Sequence, residues 1–259
     1  NRMIKKLCIV LLALAAFNIH AQEGTTSPYS FYGIGSLKFK GTTENRSMGG
    51  LSIYSDSIHI NLRNPASYGG KNIIGYNNES RPIKFTVGGS HSSTTLNTSS
   101  DSQKASASTF DYLALAMPIG KLGIGFGLMP YTSVGYKLES LNDSDLQTHR
   151  YRGEGGVNKA FLALGYLIAK DVKIGLDASY NFGNIQNSAI EFLYTEDDEL
   201  IQYQSRESNR SDISGLNYNF GVTYTPMITE KLQLTTAFTY TPKSELTSNN
   251  ERTIATIVI

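Results

Sequence analysis

The side chains of this chain that could do chemistry are thinly spread. His59, His91 and His149 fall in three separate stretches, and no serine and aspartate join any of them at a spacing that would put a nucleophile, its base and an orienting carboxylate on one face. The acidic run from Glu196 to Glu199 has no second ligand group nearby in sequence, so it reads as a solvated loop tip and not as a metal site. Gly33-Ile34-Gly35 lacks the third glycine and the following helical pattern of a phosphate-binding loop. Cys8 is the only cysteine and lies in an N-terminal leader, which leaves the exported chain without a thiol, a disulfide or a cysteine-based metal site. The expectation is a protein that is not an enzyme and needs neither cofactor nor metal.

The leader itself has the three parts of an export signal. Lys5 and Lys6 make a positive start, Leu7 to Phe17 an apolar middle, and Ile19-His20-Ala21 a cleavage site before Gln22. A membrane anchor needs about 20 apolar residues, and this run is about half that. Removing the leader's Arg2, Lys5 and Lys6 turns the formal charge of +1 slightly negative, so no basic surface for nucleic acid is implied. With 24 glycines, 16 tyrosines and 17% charged residues, the composition favours β structure with many turns.

The elements that must position any site are long strands. In Val172 to Gly183 the even positions Val172, Ile174, Leu176, Ala178, Tyr180 and Phe182 are apolar, while Lys173, Asp177, Asn181 and the glycines between them are not. Leu216, Tyr218, Phe220, Val222 and Tyr224 alternate in the same way with Asn217, Asn219, Gly221 and Thr223, and Leu232 to Thr241 repeats the pattern. Strands are expected at 83–95, 109–118, 121–139, 157–169, 172–188, 211–226 and 231–246, with another beginning at Arg252. Tight turns at Gly120-Lys121, Lys170-Asp171 and Met227 to Glu230 alternate with long polar loops at 97–108, 140–156 and 190–210.

Two architectures make such strands, a soluble sandwich or barrel with the apolar face inward and an outer-membrane barrel with that face toward lipid. The strand length suits a bilayer crossing of about 9–11 residues. The opposite face, rich in Gly, Asn, Thr and Ser with few charges, suits a hydrated lumen, toward which Lys173, Asp177, Asn181, Asn217 and Asn219 are expected to point. Tyr131, Tyr136, Tyr180, Phe182, Tyr224 and Tyr240 are expected in interfacial girdles. Residues 22–80, glycine-rich and without long alternation, read as an N-terminal hatch or plug, and 81–259 as an incomplete transmembrane barrel ending in an unfinished strand at 253–259. Within the third strand stands Pro130, which has no N–H for a ladder, so the wall is expected to bend or unpair there.

Ser27-Pro28-Tyr29-Ser30, Tyr32-Gly33-Ile34-Gly35, Arg46-Ser47-Met48-Gly49-Gly50 and Asn64-Pro65-Ala66-Ser67-Tyr68, followed by long alternating strands, resemble the outer-membrane transport family that includes the FadL and TodX long-chain fatty acid and hydrocarbon transporters. The resemblance implies an all-β antiparallel transmembrane barrel, here about seven or eight strands of about 14, with Asn64, Pro65 and Ala66 as the hatch motif. It implies passive uptake of hydrophobic molecules across the bacterial outer membrane, with lateral exit at a strand kink near Pro130 and Tyr131. The partners would be a hydrophobic ligand and outer-membrane lipid. The alternative from the same resemblance is a barrel that partners or anchors components of a protein-secretion system.

Overall fold

A computed structural model of the chain describes residues 25–53, 58–70, 83–97 and 102–258. The leader read over 1–21 lies outside them, as do parts of the segment read as a hatch. The described chain is an antiparallel β-sheet that curls around an irregular N-terminal segment. That segment carries a short strand β1 (Ser36–Leu37), a one-turn helix α1 (Thr43–Ser47) and two single turns of 3-10 helix, Pro28–Phe31 and Pro65–Tyr68.

The sheet is a meander of β2 (Lys84–Asn97), β3 (Ser102–Ile119), β4 (Leu122–Pro130), β5 (Thr132–Leu141), β6 (Gln147–Ala169), β7 (Val172–Glu191), β8 (Tyr203–Tyr224), β9 (Met227–Thr229), β10 (Leu232–Gln233), β11 (Thr236–Tyr240) and β12 (Thr247–Val258). Neighbours in sequence pair in space, so the order from one edge to the other runs β2, β3, β4, β6, β7, β8, β11. Two pairs of short elements each act as one interrupted strand: β4 and β5 both lie on β6, and β11 and β12 both lie on β8. The two strands expected at 231–246 and from Arg252 are therefore one. Met227 to Glu230 is likewise not a bare turn, because β9 and β10 form a small hairpin there.

Much of the loops expected at 97–108, 140–156 and 190–210 is strand among the described residues: β3 begins at Ser102, β6 at Gln147 and β8 at Tyr203. β6 runs for 23 residues and β8 for 22, about twice what a tilted strand needs to cross a bilayer. Along each long strand the outer face changes character once. On the half nearest the Gly120 and Lys170 turns it is apolar, with Leu162, Leu164, Ile174, Leu176, Leu216 and Phe220 among the exposed side chains. On the other half it carries Arg152, Glu154, Gln186, Ser188, Arg206 and Arg210. β7 shows the boundary: its apolar outer positions run from Val172 to Phe182, and Asn184, Gln186 and Ser188 continue the same face.

The inner face is packed by layers. A cluster of Tyr68, Tyr112, Ala114, Met129, Phe161 and Ala163, with Ile60 and Leu62 from the N-terminal segment, fills the turn end. A second cluster of Val134, Tyr136, Val157, Ile185 and Ile213 fills the level above it. Tyr136, expected in an outer girdle, is buried at 4% exposure and its hydroxyl donates to Asn187 Oδ1 at 2.9 Å. The reason is a one-residue bulge. Pro130 faces Asn158 on β6 but Val134 faces Gly155, so four steps on one strand match three on the other and the inward positions change from odd to even. The same change brings Tyr131 over Lys159, whose Nζ lies 4.8 Å from the ring centroid. Tyr180, Phe182, Tyr224 and Tyr240 are exposed on the outer face.

Candidate functional site

Asn64-Pro65-Ala66 organises the contact between the N-terminal segment and the sheet. Proline supplies a preset φ at the first position of the turn. The Asn64 side chain caps it, Oδ1 accepting from Ala66 N at 3.0 Å, while Asn64 O accepts from Ser67 Oγ at 2.7 Å. The other half of the amide reaches the wall, Nδ2 donating to Thr223 Oγ1 on β8 at 2.9 Å. Ala66 is fully buried at 0% exposure.

The floor beneath this turn is a row of glycines. Gly123 on β4 pairs with Gly165 on β6, Gly165 with Gly175 on β7, and Gly175 with Gly221 on β8, so the four stand side by side across neighbouring strands. Each is needed for close approach. A Cβ on Gly123 would lie 1.8 Å from Tyr68 O, on Gly165 2.4 Å from Gly69 N, on Gly175 2.2 Å from the Pro65 carbonyl carbon, and on Gly221 2.1 Å from Asn64 Oδ1. Most of these atoms are backbone, which cannot swing aside as a side-chain tip can.

Above the glycine row lies a polar layer. Asn219 Nδ2 donates to Arg63 O at 3.0 Å, and its Oδ1 accepts from Thr241 Oγ1 at 3.1 Å. Asp177 Oδ1 accepts from Ser179 Oγ at 2.6 Å, and its Oδ2 stands 3.9 Å from Lys40 Nζ of the N-terminal segment. Burial holds the Lys40 amine below its usual range, opposed by the nearby Asp177 carboxylate. Asn181 Nδ2 donates to Asn217 Oδ1 at 3.0 Å. Asp177, Asn181 and Asn219 are thus buried on the concave face, Asn217 is half-buried beside Asn181, and Lys173 is half-buried at the turn end of the same strand. The layer is closed on one side by the Asn64–Tyr68 turn and on the other by the Val134, Val157, Ile185 and Ile213 cluster.

Pro130 ends β4, and Tyr131 joins it to β5 by donating its N–H to Val157 O at 2.7 Å. Neither belongs to the Asn64 turn's contacts with the glycine row. Among the described residues no group of three or more His, Cys, Asp or Glu is placed to hold a metal ion. Sequence reasoning missed the glycine row, Lys40 and Lys159. The signal was present as inward glycines on each of four strands, but which of them form a row is fixed only once the register between strands is known.

A family model described as BamG matches residues 3–259. No curated protein and no solved structure matches the chain. The family match overturns the resemblance to the FadL and TodX transporters, and with it the expected uptake of fatty acids or hydrocarbons and the exit of such a ligand at Pro130 and Tyr131. The Asn64-Pro65-Ala66 triplet that carried the resemblance is explained locally: asparagine caps, proline presets and alanine fits a turn pressed onto glycine, and none of the three needs a ligand.

Proposed function

Because the chain belongs to the BamG family, we propose that it is an outer-membrane-associated subunit of the machinery that assembles outer-membrane proteins. On this reading it binds and positions other polypeptides and catalyses nothing. The observation that carries the reading beyond the family is the two-part outer surface of the sheet. The apolar half of β7, from Val172 to Phe182, has the height of a tilted bilayer-crossing strand, about 25 Å. Leu162, Leu164, Leu176, Phe220 and their neighbours would face lipid there. The polar half continues the same ladder to Glu191, roughly 30 Å along the tilted strand at about 3.3 Å per residue, a stiff platform and not a set of loops. The N-terminal segment is the plug of this wall, held to it by the Asn64 turn and by the polar layer around Asp177 and Asn219.

The test is recovery from native membranes. An affinity-tagged copy, extracted in mild detergent from the outer-membrane fraction, is expected to bring the assembly machinery's subunits with it in near-stoichiometric amounts, and depletion of the protein to lower the amount of folded outer-membrane barrels. A tagged protein recovered alone, with barrel levels unchanged on depletion, would end the reading.

A further inference from the structure

Neighbouring strands from β2 to β11 are laddered, but the ladder stops short between β3 and β4, as it also does along 215–219 of β8, between the stretches paired with β11 and with β12. β3 pairs with β4 only from Leu113 to Ile119. The next step outward meets two obstacles at one level. Asp111 is the extra residue of a bulge on β3, since Gly88 pairs with Tyr112 and Gly89 with Phe110, and Pro130, which would stand opposite it, has no N–H to offer. Beyond this level the strand continues as β5, which leans on β6 and leaves β3 behind. From Lys104 to Asp111, the side of β3 turned away from β2 has no ladder partner among the described strands.

The opposite lip of the gap is built by the N-terminal segment. β1 pairs with β5 through Ser36 and Ser133 and through Leu37 and Thr132, and Lys38 N donates to Tyr131 O at 3.0 Å. A cavity of about 270 Å³ adjoins the gap, lined by Leu37, Lys38 and Arg46 of the N-terminal segment, by Ser90 of β2, by Asp111 of β3 and by Pro130. A main-chain edge in a cleft is complementary to another main chain in extended form. β1 already shows the mode, because it lies on the edge of β5 as a two-residue strand.

We propose that the gap between β1 and β3 is a docking site for an extended segment of another outer-membrane polypeptide, added edge to edge onto β3 so that β3, the guest, β1 and β5 form one continuous sheet. The proposal rests on the assembly reading above and names the partner's form. Ala105, Ser106, Ala107, Ser108 and Thr109 beside the gap are small or polar, and the apolar band begins only at Phe110 and Leu113, which suits a polypeptide in water and not a lipid tail. Along this edge the charged residues are Lys104 and Asp111 at its two ends and none stands between them, whereas edges protected against strand addition usually carry several such guards. Recognition through main-chain groups is tolerant of sequence, which fits guests that share alternation and little else.

The experiment uses the full chain with Cys8→Ser and a single new cysteine at Ser106→Cys, or at Ser188→Cys as control, since Ser188 is laddered on both sides by Arg152 and Ser208. The probe is a synthetic peptide copying residues 172–183 with a cysteine in place of Ser179. Oxidation is expected to trap the peptide about ten-fold more at the Ser106 position than at the control. Trapping should fall to the control level when deletion of Asp111 is combined with Pro130→Val, which lets β3 and β4 zip further. Equal trapping at both positions, trapping that survives the closed wall, or a Ser106→Cys protein already blocked by another segment of its own chain would each overturn the proposal. Loss of trapping with intact co-purification would fault only the docking site; loss of co-purification with intact trapping would fault only the assembly reading.

Discussion

A single hydrogen atom as the side chain of Gly175 decides whether the Asn64 turn can reach the wall. Replacing Gly175 with valine would place a Cβ 2.2 Å from the Pro65 carbonyl carbon, and the turn cannot rotate away from its own backbone. The expected cost is about 1–3 kcal/mol, as for other overpacked sites. It should appear as faster proteolysis of the N-terminal segment with the strands still heat-resistant on a gel. Asn64→Ala tests the other partner of this contact. It removes the cap on Ala66 N and the donor to Thr223 Oγ1, with an expected loss of about 1–2 kcal/mol. Asn64→Asp keeps the cap but loses the amide donor to Thr223, and should fall between the unaltered protein and Asn64→Ala in the same proteolysis assay. At this scale the Asn64-Pro65 turn was legible in the sequence, because asparagine and proline act on their own backbone. The wall beneath it was not, since four glycines spread from Gly123 to Gly221 become neighbours only through strand register.

At the scale of elements, the strands were read where one face is apolar and missed where both are polar. Val172 to Phe182 declares its period through Ile174, Leu176 and Tyr180. Gln147 to Gly156 and Tyr203 to Ser211 carry arginine, glutamate, serine and asparagine on both faces, so nothing in their hydropathy separates ladder from loop, and they became strands only because β6, β7 and β8 continue to pair. Pro130 was legible as a break in the wall. Its companion Asp111 was not, because a bulge is a relation between β2 and β3. The pair predicts an unequal response to repair. Pro130→Val alone should leave amide exchange at Phe110 and Thr109 fast, since the bulge still blocks the ladder, whereas adding the deletion of Asp111 should slow exchange there by about ten-fold or more, read by mass spectrometry or NMR.

For the molecule as a whole, the assembly-subunit reading proposed above makes the change of outer surface along β7 a boundary of depth in the membrane. The chain contains no tryptophan, so an introduced one reports without background. Leu176→Trp should be strongly quenched by brominated lipid in reconstituted vesicles, and Gln186→Trp should not, although the two lie on one face of one strand. Similar quenching at both positions would remove the band as a lipid boundary. Leu176→Arg should cost about 2–4 kcal/mol in the membrane if the band spans it, while a charged residue at Gln186 should cost little.

The glycine row also constrains the register of the strands. Four strands contribute one glycine each, and a slip of one residue on β7 would bring Ile174 or Leu176 to the place of Gly175, where a side chain cannot coexist with Pro65. The turn therefore fits only a wall whose strands are in register at this row. Inserting one residue into the Lys170-Asp171 turn should leave the strands paired but the N-terminal segment undocked and open to protease, so that limited proteolysis of that segment reads the register of the whole sheet.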